Sequence, residues 1–231
     1  MGKRMKLLGL KRRQTVGFTL IELLVVIAVI GILAAMIIPI TGAVTRARIR
    51  SRARAELQQV ASAIENYKTK LGFYPPVDTN SIVVNPLYYE LVGTRLDAPG
   101  TTYATLDSVS QLPSSAVPNI FGTAIGGFSN TAKGGGDEGQ RAMNFLGRGL
   151  KPGQYLPVSN ISSSSKPVLL GSTLAGPVMY PGVTPGTQIN PWRYNSVTPT
   201  NNSSSFDLWI DVKVGSKTNR ICNWSDKPII L

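Results

Sequence analysis

At 231 residues the chain is long enough for one compact domain plus an extended element, and too short for two ordinary domains. It has no His and a single Cys222, which excludes an intramolecular disulfide and removes both the usual general base near neutral pH and the commonest metal ligand. The net charge of +12 is concentrated before residue 55, since residues 55–231 hold thirteen cations against eleven acids, so a general polyanion-binding domain is disfavoured and nucleic acid is not an expected partner.

In chain order, residues 1–17 come first, with Lys3, Arg4, Lys6, Lys11, Arg12 and Arg13 and no acid. From Phe18 to Ile40 follow twenty-three residues with a single charge, Glu22. As a helix they reach about 34 Å, enough for a hydrocarbon core of about 30 Å. The preceding cations place residues 1–17 on the cytoplasmic side and the remainder outside. Three readings compete: a cleaved secretory signal with Thr41, Gly42 and Ala43 imitating its cut site, a plain single-pass anchor, and a span with a function. Glu22 separates them, because an unpaired carboxylate in a membrane costs on the order of a few kcal/mol. Arg13 and Arg46 are the nearest flanking cations, so a cationic partner is expected from elsewhere.

The stretch Gly17-Phe18-Thr19-Leu20-Ile21-Glu22-Leu23-Leu24-Val25-Val26, after its basic leader, resembles the processing site of the type IV pilin and type II secretion pseudopilin superfamily. The resemblance implies a structural subunit rather than an enzyme. It implies removal of the leader 1–17 by a prepilin peptidase that cuts after Gly17 and methylates the new amine of Phe18. It also implies assembly through Phe18 and Glu22 with copies of the chain and other pilin-like subunits, on an inner-membrane platform and in contact with lipid. The expected location is the inner membrane, with the N-terminus cytoplasmic and the head periplasmic or extracellular. Gly31 and Pro39 fall where the family often has a Gly and a helix-perturbing Pro. Pro39 lacks an N–H and crowds the carbonyl of Ala35, at about 3 kcal/mol in a helix interior, and Gly42 follows. An ordinary kink and an unwinding of residues 36–42 on filament entry are both open.

Beyond the span, Ile49, Ala53, Leu57, Val60, Ile64, Tyr67 and Leu71 recur at helical spacing and predict an amphipathic continuation over 41–72, capped by Gly72 and stopped by Phe73-Tyr74-Pro75-Pro76. Arg46, Arg48, Arg50, Arg52 and Arg54 occupy every second position and so surround the helix, which reads as a solvated, headgroup-facing collar. Residues 73–231 predict a loop-rich α+β head: short helices at 86–92 and 137–146, a flexible turn at Gly134-Gly135-Gly136, and an alternating strand at 206–214 followed by a Gly215-Ser216 turn. A strand near 220–224 and pieces near 167–170, 178–180 and 192–194 complete one small antiparallel sheet, packed on the helix stripe. The expected architecture is the pilin-like lollipop.

Tyr67-Lys68, Phe73-Tyr74-Pro75, Asn190-Pro191-Trp192, Phe206-Asp207-Leu208 and Ile221-Cys222-Asn223-Trp224 occur in the order found in the major pseudopilin of type II secretion, which this part of the chain resembles. That family often binds calcium between its last strands. Here residues 214–220 carry no acid and two cations, so no cofactor is expected. The long insertion at 97–189 exceeds the resemblance and fits an exposed role, which keeps a surface pilus of adhesive, motile or DNA-uptake type as the alternative to a pseudopilus.

Overall fold

The computed structural model describes residues 17–133, 141–147, 149–162 and 165–231, the side chains of residues 35–41 excepted. Residues 1–16 of the expected leader and the Gly134–Gly136 turn lie outside these. The chain divides into two compact units, Met1–Thr45 and Arg46–Leu231.

Helix α1, Leu20–Leu71, runs through 52 residues without a break. It begins behind Thr19, and it ends where Gly72 adopts φ +86° and donates its N–H to the Lys68 carbonyl at 2.8 Å. A residue with a Cβ would be strained at that φ, so the glycine and the prolines after it set the helix boundary. Among the described residues no helix is long and apolar enough to cross a membrane. The described side chains of the apolar run stop at Ala34, and the rest of the expected span lies outside them.

In the second unit the predicted stripe is buried: Ala53, Leu57, Val60, Ile64 and Tyr67 join the core, with Ile49 and Leu71 packed at its margin. A buried Leu, Val or Ile contributes about 1.5–3 kcal/mol over an exposed one, so this face is a main source of the unit's stability. Helix α2, Leu87–Val92, is buried at all six positions. It needs cover on every side, and the insertion supplies it: Tyr89 stacks on Phe128 at 4.6 Å and meets Phe121 edge-on, while Tyr88 stacks on Tyr155 at 5.6 Å.

Three four-stranded sheets replace the single expected one. The first contains β1 (Thr94–Leu96), β2 (Thr102–Thr105), β3 (Gln111–Pro113) and β4 (Thr131–Lys133), with β1 and β4 parallel. A short 3-10 turn, Ser114–Ala116, and helix α3, Val117–Phe121, join its strands. The second contains β5 (Tyr155–Pro157), β6 (Val168–Ser172), β7 (Tyr180–Pro181) and β8 (Gln188–Pro191), in the order β5-β6-β8-β7. Its outer strands meet, because Val183 donates to the Pro157 carbonyl and Ser159 to that of Pro181. Val158, Leu169 and Ile189 form a small core inside it. The insertion is thus sheet-built, and its strands are too short to show a period in sequence.

The third sheet, β9 (Arg193–Asn195), β10 (Asp207–Val214), β11 (Lys217–Cys222) and β12 (Ser225–Ile230), keeps three strands of the predicted one and adds an unforeseen last strand, while the pieces expected near 167–170 and 178–180 fall on β6 and β7 of the second sheet. Leu208, Ile210, Val212 and Val214 of β10 are buried against the stripe, as the alternation requires. The helix expected at 137–146 is not formed in its described part, 141–146. There Phe145 donates to the Leu91 carbonyl, and the Asn130 side chain bonds both backbone groups of Met143, so the backbone is engaged by neighbours instead of its own turn.

Candidate functional site

The chemistry-bearing part of the first unit is the start of α1. Gly17 and Phe18 precede the helix outside regular structure, and Phe18 is 82% exposed. From Leu20 to Leu33 every large apolar side chain is exposed, on all faces of the helix. A helix apolar all round is suited to burial, and the described residues do not cover this one. Gly31 has nothing within 4 Å of where a Cβ would stand, so packing within the chain does not demand glycine there.

Glu22 sits in the first turn of the helix. Its Oε2 accepts hydrogen bonds from the backbone N–H of Thr19 at 2.8 Å and from the Thr19 hydroxyl at 2.7 Å, while Thr19 Oγ1 faces the Glu22 N–H at 3.3 Å. This is a capping box, Thr-x-x-Glu, in which each side chain satisfies the other's orphan N–H. Sequence reasoning looked for a cation and overlooked this neutral partner, although the spacing was readable. The box fixes the carboxylate at the N-terminal end of the helix, bonded to the residue that follows Phe18. The helix macrodipole favours a negative group at that position.

Of the expected helix-perturbing residues, Gly31 and Gly42 lie within a helix that continues through them, and the side chain of Pro39 lies outside the described ones.

The expected arginine collar is corrected at three of its five positions. Arg54 donates to the carbonyls of Cys222, Ser225 and Asp226 at 2.7–2.8 Å, clamping the β11–β12 turn. Arg50 donates to Asn219 on β11, and Arg52 donates to Glu56 and to Thr173 of the insertion. Gln59 adds a bond to Gln154. Arginine serves here because its planar fork reaches several carbonyls at once. The alternate spacing spreads these cations over different sides of the helix, and different strands and loops cover those sides.

Sequence reasoning missed the buried Glu90. Its carboxylate accepts from Tyr67 Oη at 2.8 Å, Ser129 N at 2.8 Å and Asn130 N at 3.0 Å, joining α1, α2 and the insertion. Burial raises its pKa above the ordinary carboxyl value, and the three donors pull it back in part. Burial and the neighbouring Glu90 raise that of Tyr67 as well. No residue pattern announces such a site, since its partners are two backbone amides and a distant tyrosine.

Among the described residues, no group of three or more His, Cys, Asp or Glu is placed to hold a metal ion. The segment 214–220, where the resemblance implied a calcium site, is a tight hairpin between β10 and β11 whose Arg220 is bound to Asp211. Asp207 is engaged by N–H groups of Thr200, Asn201 and Asn202. These residues do not fit a calcium ion, which requires six to eight oxygen ligands.

Comparison with known proteins agrees with this geometry at the N-terminus. Residues 17–38 match the prokaryotic N-terminal methylation motif. The chain is 37% identical over 67 residues to type II secretion system core protein G of Pseudomonas aeruginosa. That match covers 29% of this chain and 46% of the relative, so the chain spans less than half of the relative's length. No solved structure matches the chain. The N-terminal segment therefore carries the methylation motif that the sequence resemblance pointed to.

Proposed function

We propose that this pilin-like chain is a structural, non-catalytic subunit of a type II secretion pseudopilus. It is made with the basic extension 1–17 and held in the inner membrane by residues 18–40, with the head, 73–231, on the periplasmic side. A prepilin peptidase hydrolyses the Gly17–Phe18 bond and methylates the new Phe18 amine, and the subunit then polymerises through α1 with copies of itself and other pilin-like subunits on an inner-membrane platform. The length and apolarity of the run support the span, and the cations before it support the orientation.

The observation that carries the reading is the capping box. It holds the only carboxylate of the apolar run beside the position where proteolysis creates an ammonium group. Hydrolysis therefore supplies the missing cation and removes the six leader cations in one step. At 4 Å and an effective dielectric near 20 such a pair is worth about 4 kcal/mol, comparable with the cost of leaving the acid alone in oil. Glu22 of one subunit then meets the Phe18 amine of the next and sets their register, and the apolar faces around it are covered by neighbouring helices.

Mass spectrometry of the membrane form is the test. The expected result is a mature chain beginning at Phe18 and carrying one extra methyl group on its amine. A chain that functions in secretion while still bearing residues 1–17 would overturn the proposal.

A further inference from the structure

On β10 the side chains alternate, so while Leu208, Ile210 and Val212 enter the core, Trp209 and Asp211 lie on the opposite face. Strand register brings Arg193 of β9 opposite Trp209, and Arg220 of β11 opposite Asp211. Trp224, in the β11–β12 turn, meets Trp209 edge-on at 5.7 Å. Arg220 lies over the Trp209 ring at 5.6 Å. Both tryptophans are half-buried.

The group is rich in donors and short of acceptors. Arg220 uses its Nε and Nη2 on the two oxygens of Asp211, at 2.8 and 3.0 Å, which consumes that carboxylate. Arg193, only 7% exposed, stays 4.0 Å from Asp211 and donates one long bond, 3.4 Å, to the Pro191 carbonyl. The Trp209 indole N–H is buried and has no partner among the described residues. Two guanidinium groups thus share one carboxylate, beside an orphan N–H. A buried N–H left unpaired forfeits the hydrogen bonds it had to water, and a recessed guanidinium is a bidentate receptor for planar or tetrahedral oxyanions. Burial also pushes the Arg193 guanidinium below its ordinary pKa; Asp211 opposes this and the like charge of Arg220 adds to it.

We propose that this outer face of the C-terminal sheet is an oxyanion-binding site, in which Arg193, Arg220 and the Trp209 indole receive a phosphate or carboxylate group and Trp224 forms its aromatic wall. Charge complementarity argues for the occupant: the one acid of the group is already spent, so the ligand must bring the missing acceptor. Every residue of the site belongs to the second unit.

The test uses the full chain in detergent with nitrogen-15 labelled indoles, titrated separately with sodium phosphate, sodium acetate and sodium chloride at matched ionic strength. The expected result is a saturable downfield shift of the Trp209 indole N–H with phosphate or acetate and none with chloride. Saturation by phosphate alone assigns a phosphate group, and by acetate alone a carboxylate. Arg193→Lys and, as the partly exposed position whose variant is easier to fold, Arg220→Lys should each weaken binding roughly tenfold, as expected for lost guanidinium donors. A shift that is absent with both anions, equal in chloride, or untouched by both substitutions would overturn the assignment.

Discussion

Glu90 shows how one buried side chain ties distant parts of this chain together. Replacing it by Gln exchanges an acceptor oxygen for an NH2 group, so at least one of the three donors from Tyr67, Ser129 and Asn130 faces another donor. A loss of about 1–3 kcal/mol is expected, read as a lower midpoint in chemical denaturation. The pH dependence has a defined sign. Because burial raises the folded pKa above 4.5, the folded chain binds more protons at Glu90 than the unfolded chain does, and this site's stabilisation fades as the pH rises from 4.5 through the folded value. Glu90→Gln does not titrate, so the stability gap between parent and variant should narrow with rising pH. A gap that widens over that range would refute the assignment. Tyr67 and Tyr194 are the other titratable groups that sense this carboxylate, and both have pKa values raised first by burial. Glu22 makes the opposite lesson at the same scale: its cap partner stands three residues away, and Thr-x-x-Glu was there to be read.

Among the elements, β10 and the second half of α1 were legible because each repeats a hydrophobic period long enough to recognise, and the two faces so predicted pack on each other. The insertion was legible only at the pieces near 167–170 and 178–180, which became β6 and β7 of a sheet of their own. Its strands are two to five residues long and take their order from hydrogen bonds to remote segments. β12 was unreadable for a related reason: it is an edge strand with no fully buried position, and Arg54 fixes its turn from across the fold. Arg54→Met keeps the aliphatic stem and removes three charge-assisted bonds. It should cost about 2 kcal/mol or more and speed amide exchange in β11 and β12 over that of β6. Unchanged exchange at both strands would mean that the clamp carries no energy.

For the molecule as a whole, no described core residue of the second unit precedes Ile49, and the residues proposed for assembly all precede Thr45. Under the proposed assembly role, folding of the head and polymerisation are expected to be separable. Glu22→Ala should leave the melting temperature of the detergent-solubilised subunit within about a degree of the parent, while abolishing filaments in a cell-based assembly assay. Normal filament yield from that variant would exclude an assembly role for the carboxylate. The methylation-motif segment, the apolar run with its one acid, the buried stripe and the alternating strand were all readable from residue order, because each is a local pattern whose chemistry needs no distant partner. Three-dimensional packing was needed to make internal clamps of the arginines at 50, 52 and 54, to build sheets from residues 97–189, and to bring Arg193, Trp209 and Arg220 together. Those outcomes depend on which remote backbone groups and side chains come within hydrogen-bonding reach, and a one-dimensional pattern does not encode that distance.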